Sequence, residues 1–226
     1  MTDLQTSQKL VDPASTVAQS SAVHRWVLPD KGEALTLVPS DFANAARELG
    51  VETAAVRAVA TVESGGRTGF DSHKRPKIRY ENHYFRRLTK NRYDKTHPHL
   101  SCAYGSRQYK LTHGSKSDQY KLLHEAFALA PAAAVQSCSW GMFQVMGESY
   151  KNVGWQDLEQ FVKDMFYSEA QHLRAFLGFC RHNNLVRHLK NRNWTAFARA
   201  YNGPKYAEHA YDVKMRNYYL QYSRKP

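Results

Sequence analysis

The segment 51–64, Val-Glu-Thr-Ala-Ala-Val-Arg-Ala-Val-Ala-Thr-Val-Glu-Ser, constrains this chain more than any other. Val56, Val59 and Ala60 recur at helical spacing, and Gly65-Gly66 follow at once. The pattern predicts a helix with one face in a core and a glycine stop. Glu63 falls on the same apolar stripe, at i+7 from Val56. A carboxylate facing a core is costly to ionise, and the negative end of its own helix adds to that cost. Glu63 is therefore expected to keep its proton near neutral pH, as a general acid in glycoside cleavage must. The alternative is that Glu63 turns to solvent or pairs with a cation such as Arg67.

The other periodic segments are also mostly helical. Ser40 reads as the cap of a helix over 41–49 that Gly50 ends, and Ser117 as the cap of a strong helix over 118–130. Pro131 opens a short helix at its first turn. Further helices are expected near 82–90, 156–163, 165–182, 185–190, 194–201 and 205–223, with a short helical stretch at Met142, Phe143 and Val145. Residues 65–81 lose the helical period and read as a loop with a short β-hairpin; 91–116 read as loop. The expected fold class is mostly α, with a small β-hairpin. A chain of 226 residues fits one domain of ordinary size. The composition shift at Pro39 divides it into a polar, weakly structured extension, 1–38, with room for a small strand near Trp26–Leu28, and a body, 39–226.

Charge limits the partners. The formal net charge is +12, and residues 73–122 hold 13 Lys/Arg against Glu81, Asp94 and Asp118. Such a surface favours nucleic acid, acidic lipid headgroups or an anionic cell wall. The C-terminal mix of Lys214, Arg216, Arg224 and Lys225 with four tyrosines suits either a membrane surface or ordinary packing onto the core. No run of 18 apolar residues exists, so no transmembrane helix is expected. Cys102, Cys138 and Cys180 are too few for a disulfide framework. With no HExxH and no spaced Cys/His quartet, neither a metal nor a cofactor is expected. Residues 1–21 lack an apolar core, so no signal peptide is expected and synthesis in a cytoplasm is.

Three more positions carry candidate chemistry. Glu81, in an acid-poor stretch, reads as a general base, a stabiliser of an oxocarbenium-like transition state, or a structural partner for Arg79, Arg86 or Arg87. Gln144 sits in the Gly-flanked run Ser139–Gly147, and Tyr201-Asn202-Gly203 ends a helix with an aromatic face and an amide suited to sugar rings. In order, AVATVESGG (58–66), RPKIRYENHYFRR (75–87), SWGMFQVMG (139–147) and ARAYNGP (198–204) resemble the phage endolysins of the N-acetylmuramidase family, in the lysozyme-like superfamily. The likeness spans about 39–226.

The resemblance implies a lysozyme-like α+β fold with a cleft between two helical lobes. It implies a peptidoglycan-degrading glycoside hydrolase that cuts the β-1,4 bond between N-acetylmuramic acid and N-acetylglucosamine and lyses the host cell. By position, Glu63 matches the family's catalytic acid and Glu81 its second acidic position, with Tyr80 where Phe is common and His83 kept. Ser139, Gln144, Tyr201 and Asn202 match cleft positions. The implied partner is the peptidoglycan glycan strand, reached in the periplasm after holin-type release, with anionic lipopolysaccharide as a further partner for the basic surface. A monomer without specific nucleic-acid binding is expected. Attack by the muramic 6-hydroxyl instead of water would give a lytic-transglycosylase outcome. A basic nucleic-acid-binding protein and a non-catalytic wall-binding module are the competing readings.

Overall fold

The computed structural model describes residues 26–113 and 118–224. Helices α1 (Pro39–Leu49) and α2 (Thr53–Ser64) are followed by strand β1 (Ile78–Tyr80) and helices α3 (Asn82–Leu88), α4 (Arg107–Thr112), α5 (Gln119–Leu129) and α6 (Pro131–Gln136). Strands β2 (Cys138–Trp140) and β3 (Val145–Met146) then lead to α7 (Leu158–Tyr167), α8 (Glu169–His182), α9 (Val186–Lys190), α10 (Trp194–Asn202) and α11 (Tyr211–Ser223). Single 3-10 turns occupy Gly147–Ser149 and Tyr206–His209.

Helix α2 lies at the centre because its side chains are small. Ala55, Val56, Ala58, Val59 and Ala60 are all buried, so α1 and α11 can pack closely on it. Gly50 and Gly65 end the first two helices in the left-handed region, at φ 63° and 59°. The α1 cap differs from the expectation: Pro39 is already helical, and Asp41, not Ser40, reaches back to accept from the Val38 N–H at 2.9 Å. Residue 117 lies outside the described residues, and Asp118 caps α5 by accepting from Tyr120 and Lys121 N–H.

Tyr219 and Tyr222 of α11 pack on the body, whereas Tyr218 is exposed. Met215 and Tyr219 are buried, the Tyr219 hydroxyl donates to Glu52 Oε2 at 2.6 Å, and Arg57 lies 4.3 Å from the centre of the Tyr222 ring. This is the packing alternative for the C-terminal helix.

The sheet corrects the expected hairpin. β1 does not pair within 65–81; it pairs antiparallel with β2, Ile78 opposite Trp140 and Tyr80 opposite Cys138. β3 adds to the far side of β2, Trp140 opposite Val145. The alternating run 77–81 announced a strand, but its partner lies some sixty residues away, beyond any local signal. The helical stretch expected at 142–145 is likewise a β-turn and β3. Gly141 (φ 70°) and Gln144 (φ 51°) both take the left-handed conformation that a helix cannot contain. Residues 91–116, expected as loop, contain α4, capped by Ser106. The break between α7 and α8 falls at Ser168, whose hydroxyl caps α8, and not at Asp164.

Residues 26–38 contain no helix or strand, only an isolated bridge from Leu35 to Ser168. They are nonetheless pinned: Leu28 is buried and Trp26 meets Phe127 edge-on. Glu169, 3% exposed, accepts from Leu37 N–H (2.9 Å), Thr68 hydroxyl (2.7 Å) and Gly69 N–H (2.7 Å). One buried carboxylate with three donors thus ties this segment and the loop before β1 to α8. Three residues on, the buried ring of His172 accepts from Met142 N–H at Nδ1 (3.2 Å) and donates from Nε2 to the Met165 carbonyl (2.7 Å). The turn after β2 is thereby fixed against α8.

Candidate active site

Glu63 stands in the last turn of α2, on the wall of a cavity of about 610 Å³. Burial pushes its carboxyl up to about 8. Among the described residues no cation pairs with it, so Arg67, which is exposed, does not play that part. The surroundings explain the shift. Phe179 lines the same cavity, and Glu63 acts electrostatically on the buried Tyr201 hydroxyl and Cys180 thiol, both of which are pushed up chiefly by burial.

Asn202 holds Glu63 by a hydrogen bond: its Nδ2 donates to Glu63 Oε1 at 3.1 Å. The Asn202 Oδ1 is buried without a partner. The amide is in place because α10 ends there, with Gly203 at φ 81°. Next to it, the Tyr201 hydroxyl donates to the Phe143 carbonyl at 3.1 Å, and its ring stacks on Phe197. Tyr201 thus joins α10 to the turn between β2 and β3.

That turn carries Gln144. Its left-handed conformation is held by its own amide, which donates to the Gly141 carbonyl (2.8 Å) and accepts from the Ser139 hydroxyl (2.7 Å). Gln144, Tyr201 and Asn202 therefore share the cavity with Glu63. Ser139 does not line it; buried on β2, it sets the Gln144 side chain from behind.

Glu81 sits elsewhere. It precedes α3 at the end of β1 and does not line the cavity. Its Oε1 lies 3.0 Å from Arg79 Nε, and its Oε2 is 2.9 Å from His113 Nε2 and 3.3 Å from the Tyr109 hydroxyl. His83 Nδ1, buried without a hydrogen bond, is 3.6 Å away. Of the partners expected for a structural Glu81, Arg79 is the one found.

The second carboxylate on the cavity wall is Glu148, which sequence reasoning missed. It lies in the 3-10 turn after β3 and pairs with Arg87 of α3. The available signal was its place directly after the Ser139–Gly147 run. Tyr84, Lys205, His209 and Tyr211 also line the cavity and were not singled out.

A carboxyl whose proton burial favours, an amide on its oxygen and a cavity of this size are the parts that acid-assisted cleavage of a glycan calls for. A model of the N-acetylmuramidase family matches residues 52–223, and all of these groups fall inside that span. The chain belongs to the N-acetylmuramidase family. Its fold is accordingly lysozyme-like, and membership makes it a glycoside hydrolase acting on peptidoglycan. Among solved structures it is similar to the crystal structure of Burkholderia AP3 phage endolysin, with a TM-score of 0.75 and 37% identity over 84% of this chain and 71% of that one. No curated protein matches the chain.

Proposed function

We propose that this muramidase is an endolysin that cuts the β-1,4 bond after N-acetylmuramic acid with Glu63 as general acid. The observation that carries the reading is the Glu63 carboxyl on the cavity wall, its Oε1 held by Asn202 and its proton favoured by burial. In this reading Glu63 gives its proton to the bridging oxygen, the C–O bond to C1 of the muramic residue breaks, and positive charge develops at C1. Asn202 acts here through its Nδ2, which holds the carboxyl in place. The Glu63 carboxylate left behind can recover its proton from the incoming nucleophile.

Besides Glu63, one carboxylate on the cavity wall can face the charge at C1. Glu148 lines the cavity with Glu63. Glu81, gripped by Arg79, His113 and Tyr109, suits a fixed negative charge better than a base that must take up a proton. Water as nucleophile gives a hydrolytic product, and the muramic 6-hydroxyl gives an anhydro sugar. The likeness to a phage endolysin supports action on peptidoglycan; cytoplasmic synthesis, holin-type release, action in the periplasm as a monomer and host lysis belong to the same proposal. The +12 net charge supports attraction to anionic surfaces, lipopolysaccharide among them.

Mass spectrometry of fragments from digested sacculi tests the reading. New ends on muramic acid are expected, hydrated for hydrolysis and anhydro for 6-hydroxyl attack. New reducing ends on glucosamine would overturn it.

A further inference from the structure

The cavity wall beyond Asn202 carries a charge pattern that cleavage of a bare sugar chain does not require. After Gly203-Pro204 the chain places Lys205 and His209 on the wall they share with Glu63. The acids of that wall are accounted for: Glu63 holds its proton, and Glu148 is paired with Arg87. The Lys205 side chain is 80% exposed, and its carboxylate partner, Glu208, is 3.9 Å away with its own side chain 62% exposed. Such a contact is weak. The wall thus offers a loosely held ammonium and an imidazole in the cavity that Glu63 lines.

Muramic acid differs from glucosamine by a lactyl group that carries the stem peptide, and that peptide bears free carboxylates. We propose that Lys205 and His209 read the stem peptide, binding one of its carboxylates on the muramyl residue beside the cleaved bond. This rests on the function proposed above and names what selects the substrate at that site. Lys205 supplies a point charge, and His209 an N–H donor in either protonation state. The pair stands on the segment that follows Asn202, so a peptide held there brings its sugar to the amide bonded to Glu63. A chain of N-acetylglucosamine alone offers this wall no anion.

The test uses the full chain with intact sacculi and with bead-immobilised glycan strands stripped of peptide by an amidase, the lactyl carboxylates so exposed being capped as amides. Co-sedimentation gives binding, and release of reducing ends gives kcat/KM. The wild type is expected to bind and cut peptide-bearing strands better. In K205A/H209A the loss on peptide-bearing strands should exceed that on stripped strands by at least about 5-fold, corresponding to roughly 1 kcal/mol, and should reside in KM. Lys90→Ala/Lys121→Ala, which removes charge outside the cavity, should leave the preference intact. Equal losses on both substrates, no loss on intact strands, or the same effect from the Lys90/Lys121 variant would each overturn the proposal. Because binding is read separately, it is decided even if the wild type cuts neither substrate, a result that would refute the proposed function instead. K205M alone guards against misfolding of the double variant.

Discussion

Replacing Glu63 by Gln separates the cost of its proton from everything else in the fold. The glutamine keeps an oxygen to accept from Asn202 Nδ2, which now lies 3.1 Å from Glu63 Oε1. It removes only the ability to ionise. Burial raises the Glu63 carboxyl from 4.5 to about 8. Between those limits the folded protein holds a proton that the unfolded chain releases. Stability from this source is whole below pH 4.5 and is lost as pH rises through about 8. At 1.36 kcal/mol per pH unit the window is worth on the order of 5 kcal/mol, a ceiling that solvent entry lowers. E63Q should thus match the wild type near pH 4 and become the more stable protein toward pH 9. Urea unfolding of both at steps across that range measures the difference, and every other titrating group cancels in the comparison. The same variant should lose about 10²–10⁴-fold in kcat. Stability curves parallel within about 0.5 kcal/mol would mean that the side chain ionises normally, and the case for a general acid would collapse with it.

Other perturbations probe the frame around the acid. Burial lowers His172 to about 4, so its contribution is present above pH 6.5 and lost as pH falls through 4, about 3 kcal/mol in all. Urea midpoints should drop over that window in the wild type, whereas His172→Gln should lack that component of the decline. A Cβ at Gly141 would meet the His172 ring at 2.6 Å, at φ +70°. Gly141→Ala should cost about 3 kcal/mol and lower Tm by roughly 6–12 °C by calorimetry; an unchanged Tm would contradict that packing. For the second carboxylate, E148Q should reduce kcat more than E81Q. E81Q should instead lower stability by about 1–3 kcal/mol, since Arg79 and His113 lose their partner. A folded E81Q with the larger kinetic defect would reverse the assignment.

Local sequence sufficed wherever structure is set by neighbours a few residues apart. The α2 stripe, the Gly50 and Gly65 stops and Pro131 at a first turn are all short-range effects, and each appears as read. So does the placement of Glu63, since a helical repeat fixes which residues share a face. Glu63, Gln144, Tyr201 and Asn202 do line one cavity. Sequence did not separate Ser139, which braces Gln144, from residues that face the cavity, because both kinds occupy one motif.

What only tertiary structure decided depends on contacts far apart in the chain. The strand at 78–80 was legible, but its partner was not, because nothing local encodes a pairing across sixty residues. The turn at 141–144 reads as helix by composition; it is a turn because His172 and Ser139 hold it from outside. Glu81 and Glu148 look alike as letters, yet long-range folding sets one among Arg79, His113 and Tyr109 and the other on the cavity wall. The chain alone determined which carboxylate faces the core, since a helical face is a local property. Which groups stand opposite it is a property of the packed molecule, settled only when α10, the sheet turn and α2 meet.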